Sequence, residues 1–352
     1  MTGKTETRTS MKRLILMLGI ISMAGLAFAQ DPVFSQYYSS PLLLNPAFSG
    51  IALAPRISLN YRNQYSGWPN AYSTYTAAYE HPIEALNTSI GIVVMGDAAG
   101  DGVLKTNRIS GIFGYHLRVN RDFAIKFGVE AGIIQSSLDW DRLVFVDQLN
   151  PIFNQTDAQG NPNVSEERIP ESLNKTIPDI SMGMLFYTPK FYGGIGVKHL
   201  NSPDESLLDI NPNLNTGIPL AISLQAGAQF ILKKGNNRRP STFLSPNLLF
   251  IRQSDFAQIN GGAYFGLGDF FAGLWYRYAF SNADAIIGLF GFKRGIVKLG
   301  YSYDITISKL ASVTGGTGGT HEISLSFNLE DSDFFKQKKR SNRYSDCFKI
   351  FR

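Results

Sequence analysis

The chain has 352 residues, 44% of them hydrophobic and 17% charged, with a formal net charge of +5 and a mean hydropathy of −0.06. Beyond its first thirty residues it offers no run of the roughly twenty consecutive apolar residues that a spanning helix needs, which excludes a helical membrane protein but not one that spans with strands. Much of the positive excess sits in Lys4, Arg8, Lys12 and Arg13, so the charge gives no support to nucleic-acid binding.

Lys12 and Arg13 precede an apolar run from Leu14 to Leu26, and Ala27-Phe28-Ala29 is a small-x-small site. Residues 1–29 therefore read as an export signal, with Gln30 the first mature residue. No Cys follows that site, which argues against a lipoprotein, and Cys347, the only cysteine, has no internal disulfide partner. Residues 30–55 come next, with aromatics and prolines but no alternation: Phe34, Tyr37, Tyr38, Asn45, Pro46 and Phe48 stand out. Such a segment plugs a barrel lumen, docks a periplasmic partner by extended pairing, or caps a barrel floor.

From 56 to 329 the pattern changes. The stretch Ile296–Ser308 puts Val297, Leu299, Tyr301, Tyr303, Ile305 and Ile307 on one face and Lys298, Ser302, Asp304, Thr306 and Ser308 on the other. Successive strand side chains point to opposite sides, so strict alternation means one apolar and one wet face. The same alternation, rich in Tyr, Phe and Gly, predicts fourteen strands: Arg56–Gln64, Tyr72–Glu80, Thr88–Met95, Leu104–Leu117, Phe123–Ser136, Asp179–Thr188, Phe191–Lys198, Ala221–Leu232, Thr242–Arg252, Asp255–Gly266, Phe270–Phe280, Ala283–Phe292, Ile296–Ile307 and Glu322–Leu329. An even count of such segments is the pattern of an all-β transmembrane antiparallel barrel. Links after even-numbered strands are mostly tight, whereas 138–178, 199–220 and 309–320 are long, matching short periplasmic turns and long extracellular loops. Residues 330–352 form a basic tail in which Phe334, Phe335, Tyr344, Phe348 and Phe351 alternate with Lys338, Lys339, Arg340 and other charges; it reads as a periplasmic docking element or a disordered end.

Reaction chemistry finds no foothold. His81, His116, His199 and His321 have no metal-site spacing and read as surface or rim residues. The run from Gly315 to Thr320 lacks the Gly-Lys-Ser/Thr ending of a phosphate loop and leads into a strand. The chain is expected not to be an enzyme, with no cofactor. Lys126 and Glu130 share a strand face, where they line a pore or, the preferred reading, pair and fill the interior.

The opening motif Gln30-Asp31-Pro32-Val33-Phe34-Ser35-Gln36-Tyr37 with Asn45-Pro46-Ala47-Phe48-Ser49-Gly50 resembles that of the PorP/SprF proteins of the type IX secretion and gliding machinery of Bacteroidetes. The block Tyr61–Trp68 is similar too, except that Tyr65 stands where a Trp is expected and Trp68 is the nearby indole. Further blocks cover Gly91–Asp101, Tyr115-His116-Leu117, Phe127-Gly128 through Asp139-Trp140, and Gly315–Ser326. The resemblance implies an outer-membrane barrel, set in outer-membrane lipid, that assists surface delivery of a large secreted adhesin. It also implies periplasmic partners: a peptidoglycan-binding lipoprotein and secretion-ring proteins. Candidate partner-binding residues are Phe34, Tyr37, Tyr38, Asn45, Pro46, Phe48, Trp68, Lys338, Lys339, Arg340, Phe348 and Phe351. The competing expectation is a porin-like channel for small molecules or fatty acids.

Overall fold

The computed structural model describes residues 31–69, 71–149, 155–156, 159–167, 169–170, 172–207, 217–235, 241–280, 282–313, 316–332, 334–335 and 347–351. The expected export signal at 1–29, and Lys338, Lys339 and Arg340, lie outside the described residues.

Fifteen strands run in chain order: β1 (Arg56–Gln64), β2 (Tyr72–Ile83), β3 (Thr88–Ala99), β4 (Leu104–Arg118), β5 (Ala124–Leu138), β6 (Asn174–Tyr187), β7 (Phe191–Lys198), β8 (Ala221–Ala228), β9 (Phe230–Lys233), β10 (Thr242–Gln253), β11 (Phe256–Leu267), β12 (Phe270–Ala279), β13 (Asn282–Arg294), β14 (Val297–Thr306) and β15 (Thr320–Asn328). Each pairs antiparallel with its neighbours, and β1 pairs with β15 from Arg56↔Asn328 to Gln64↔Thr320, which closes the sheet. Because β8 and β9 both pair with β10 as two halves of one stave, the barrel has fourteen staves. Closure leaves no edge, the condition under which sheet is tolerated in lipid.

The alternation read from the sequence is present, and it is turned inside out relative to a soluble protein. Along β1 the apolar Ile57, Leu59 and Tyr61 are 45%, 41% and 45% exposed, while Ser58, Asn60 and Arg62 are 3%, 6% and 3% exposed. The outer face is a hydrocarbon surface and the polar face looks into the lumen, as a membrane barrel requires. Tyrosines and histidines pair near the rims: Tyr301 Oη lies 2.7 Å from His321 Nδ1 and Tyr187 Oη 2.9 Å from His116 Nε2.

The expected single strand Ala221–Leu232 is divided. Its ladder breaks at Gln229, whose amide donates to the Lys190 carbonyl at 2.8 Å. The register then shifts between Thr242 and Phe243. Such an irregularity puts two residues against one and breaks the period-2 pattern, so Ile231 and Leu232 both face outward. A periodicity reading passes over this, because an apolar run looks continuous whether or not the ladder slips.

On the rim carrying the long loops, the segment after β5 folds into turns at Trp140–Arg142 and Val146–Gln148. Trp140 packs on Phe145, with ring centroids 4.9 Å apart. Asp147 accepts from the Glu166 amide and the Ser165 hydroxyl, which holds its carboxyl below the usual range. Val146 and Val164 on this loop are 86% and 87% exposed.

The lipid face carries the first prediction. Leu274 lies mid-strand on β12 and faces outward. Replacing it with Arg is expected to lower the stability of the barrel in liposomes by about 2–4 kcal/mol, measured as a shift of the urea unfolding midpoint followed by heat-modifiable gel mobility.

Candidate functional site

The polar inner wall binds the protein's own chain. Residues 32–55 precede the first strand and cross the lumen, and nearly every residue from Phe34 to Ala52 is buried. Two prolines shape the path: Pro41–Leu43 and Pro46–Phe48 form single 3-10 turns with Pro at the start, where its missing N–H is no loss. Asn45 is extended and its side chain accepts from the Ala47 amide at 2.9 Å, capping the second turn. That explains the Asn-Pro pair of the opening motif in physical terms.

The wall holds this plug at three places. Near its start, Glu322 of β15 accepts from the Ser35 amide (2.7 Å) and the Gln36 amide (2.9 Å), and it is paired with Arg62 of β1. Ser35 Oγ donates to Asp304 of β14 at 2.6 Å, and Arg277 of β12 lies 3.1 Å from the same carboxylate. Four staves thus converge on Ser35 and Gln36. In the middle, the Asn45 amide donates to Gln225 Oε1 (3.1 Å) and the Met184 carbonyl (3.2 Å), while Ser223 donates to the Leu44 carbonyl at 2.7 Å. Toward the end, Lys126 and Ser89 donate to the Ser49 carbonyl and Glu80 accepts from the Gly50 amide at 2.7 Å. The wall is cut to receive the plug: a Cβ at Gly128 would overlap the Pro46 backbone, and one at Gly183 would overlap the Asn45 side chain.

A second polar cluster fills the other side of the lumen. Arg108 pairs with Asp179 and lies 3.4 Å from Glu130, which Lys198 approaches at 3.7 Å. Both Lys126 and Glu130 therefore fill the interior, Glu130 through ion pairs and Lys126 by donating to the Ser49 carbonyl of the plug. His199 departs from the expected surface or rim placement: it is fully buried, with Nδ1 2.9 Å from Asp179 Oδ1, because a left-handed backbone (φ 58°) at the end of β7 turns its ring inward.

Toward the short-turn rim the lumen is aromatic, and a second segment of the chain enters it. Cys347, Phe348, Ile350 and Phe351 are buried. Phe351 stacks on Phe48 at 5.3 Å and meets Tyr37 at 6.0 Å; Phe348 meets Tyr187 at 5.0 Å and Tyr192 at 5.4 Å. Arg56 donates to the Phe351 carbonyl, Lys298 to the Ile350 carbonyl, and the Lys349 amide to Gln229 Oε1 at 3.0 Å. Lys298 also lies over the Tyr38 and Phe271 rings, at 4.2 and 4.8 Å. Burying Phe348, Ile350 and Phe351 contributes about 1.5–3 kcal/mol each, and fixing the backbone of the segment costs about 1–2 kcal/mol per residue. The two nearly cancel over these five residues, so the polar contacts decide whether the segment stays.

Of the twelve candidate residues, Phe34, Tyr37, Tyr38, Asn45, Pro46, Phe48, Phe348 and Phe351 are all buried in the lumen, and Tyr37, Phe48, Phe348 and Phe351 meet in one aromatic cluster. Trp68 is apart from them, half-buried at the long-loop rim with its ring 5.5 Å from Tyr65. Sequence reasoning did not single out Arg56, Arg62, Glu322, Gln229 and Tyr192. The inward parity of Arg62 and Glu322 is a usable signal, since a charge on that face needs a partner inside the barrel, here the residue opposite on the adjacent strand. Burial lifts the Tyr37 and Tyr38 phenols well above their ordinary value, and it pushes the Cys347 thiol up to about 12.

A closed fourteen-stave barrel with an apolar exterior and a lumen packed with its own chain defines an outer-membrane barrel of the plugged kind. The family described as type IX secretion system membrane protein PorP/SprF matches residues 26–327, and the chain belongs to that family. No curated protein matches it. Among solved structures it is similar to the outer membrane protein Omp33 of Acinetobacter baumannii, at 10% identity and a TM-score of 0.41, covering 80% of this chain and all of that one. It is similar also to the toluene transporter TodX of P. putida (11%, 0.47, 82% and 93%) and to a Pseudomonas aeruginosa FadL homologue (12%, 0.35, 78% and 90%).

Two outcomes are expected from this geometry. Glu322→Ala leaves Arg62 buried without its closest carboxylate and two plug amides without their acceptor, so the barrel should lose roughly 3–5 kcal/mol of stability, read as a lower denaturant midpoint. At pH 8.5 iodoacetamide should alkylate Cys347 in the folded barrel at least ~100-fold more slowly than after denaturation, since the thiolate is scarce well below its raised pKa.

Proposed function

We propose that this barrel is an anchoring component of the type IX secretion and gliding machinery that assists surface delivery of one large secreted adhesin. After signal-peptide export it holds a fixed position in the outer membrane and works without catalysis. The observation that carries this reading is the occupied lumen: Val33–Ile51 and Cys347–Phe351 fill the space through which a free-diffusion porin would conduct. On the long-loop rim, the exposed Val146 and Val164 and the nearby Trp140 supply the apolar surface for the client, with Trp68 on the β1–β2 loop of the same rim. At the short-turn rim the tail that begins at residue 330 couples the barrel to the secretion ring and a peptidoglycan-binding lipoprotein, through the exposed Phe334 and, on the sequence alone, the basic run Lys338, Lys339 and Arg340. The contacts assigned to Phe34, Tyr37, Tyr38, Asn45, Pro46 and Phe48 are internal in the free barrel, so their role here is to fix the plug that carries the tail's docking site.

Purification from native outer membranes in mild detergent should recover a large secreted protein and periplasmic ring components, and the isolated barrel in planar bilayers should show little steady conductance. Removal of residues 330–346 should release the periplasmic partners and leave the client bound. A solitary barrel with steady conductance would replace this reading with that of a small-molecule channel.

A further inference from the structure

The short-turn mouth holds Cys347–Phe351 in a way that depends little on what that segment is. Lys298 and Arg56 take the main-chain carbonyls of Ile350 and Phe351, and Gln229 takes the main-chain amide of Lys349. Phe348–Phe351 is a turn closed by the Phe351 amide on the Phe348 carbonyl at 3.0 Å, and main-chain contacts of this kind are the part of recognition that any segment forming the same turn can satisfy, while specificity comes from the side-chain pockets. Here the pockets are aromatic: Tyr187 and Tyr192 receive Phe348, and Phe48 and Tyr37 receive Phe351. The Lys349 side chain leaves the groove toward Ser241 and is half-buried.

We propose that this mouth is a peptide-recognition groove for a turn-forming segment with two aromatic residues three apart and an aliphatic residue before the second, and that Cys347–Phe351 fills in cis the place a periplasmic partner polypeptide takes in trans. Two observations make exchange workable. The segment adds no strand to the barrel, and Val33–Ile51 keeps its own anchors on Glu322, Gln225 and Glu80 when the segment leaves. The second is that an empty groove is unfavourable. Lys298 is buried, and besides the Ile350 carbonyl its ammonium lies over the Tyr38 and Phe271 ring faces. A buried cation that loses its hydrogen-bond acceptor carries a desolvation cost. The mouth therefore favours replacement of one segment by another over standing open. The inference concerns the mouth alone and holds whichever client the barrel serves.

Cys347, the chain's only cysteine and fully buried in the seated segment, reports release directly. Full-length barrel in detergent is labelled with N-ethylmaleimide while a synthetic peptide Ser-Phe-Lys-Ile-Phe is titrated in. A tethered segment competes at an effective concentration of order millimolar, so the titration extends beyond that range. Labelling should accelerate saturably by about tenfold or more as the peptide traps the released state, and the same peptide with both Phe replaced by Ala should have no effect. A Phe348→Ala/Phe351→Ala variant, shown to be a closed barrel by heat-modifiable mobility, should bind the fluorescent peptide at least ~10-fold more tightly than the parent, because its own segment no longer competes. A labelling rate unmoved at saturating peptide, with no peptide binding to the variant, would overturn the proposal and make the segment a permanent part of the barrel floor.

Discussion

A backbone amide in hydrocarbon finds no water to bond, and each one left unpaired costs several kcal/mol. Everything else in this molecule depends on that constraint. It requires the first and last strands to meet, as Arg56–Gln64 does with Thr320–Asn328, and it places both ends of the barrel strand series on one rim. It also turns the hydrophobic pattern outward, so that Ile, Leu, Tyr and Phe meet lipid while Ser, Asn, Arg and Glu meet the lumen.

Turning polar groups inward creates a second problem, which the chain solves with itself. A charged inner wall is costly unless each charge finds a partner, and a barrel of this girth has room between its walls. The segment before the first strand supplies backbone groups for that purpose: Glu322, Asp304 and Glu80 accept from it, and Lys126 and Ser89 donate to it. Toward the short-turn rim the filling becomes aromatic, and there the second segment enters, its carbonyls taken by Arg56 and Lys298 of the wall. The two halves of the filling differ in character. The first is held by buried ion pairs and by glycines cut to its shape, and the second by ring contacts and main-chain hydrogen bonds near energetic balance.

The readable parts of the fold were those governed by local periodicity. The bounds of Arg56–Gln64 and Phe191–Lys198 coincide with the alternating segments, and the others differ by a few residues at one end or both, because inward and outward side chains alternate without reference to distant neighbours. The break at Gln229 and the inward turn of His199 were not readable in this way. Each depends on a backbone hydrogen bond or a left-handed conformation imposed by an adjacent segment. The aromatic residues of the opening motif stood out by composition, but composition could not say which way they faced, and plug, cap and docking strand share the same residues.

The sequence by itself determined the stave count, the alternation of facing along the regular strands and the rim on which each long loop lies, since all three come from a two-residue period and the parity of connections. The tertiary structure alone decided what fills the lumen. Residues 34–52 and 347–351 are separated by nearly the whole chain, and their meeting at Phe48, Tyr192 and Phe351 depends on the closed curvature of the wall. No local pattern encodes that curvature, because it arises only when the last strand has found the first.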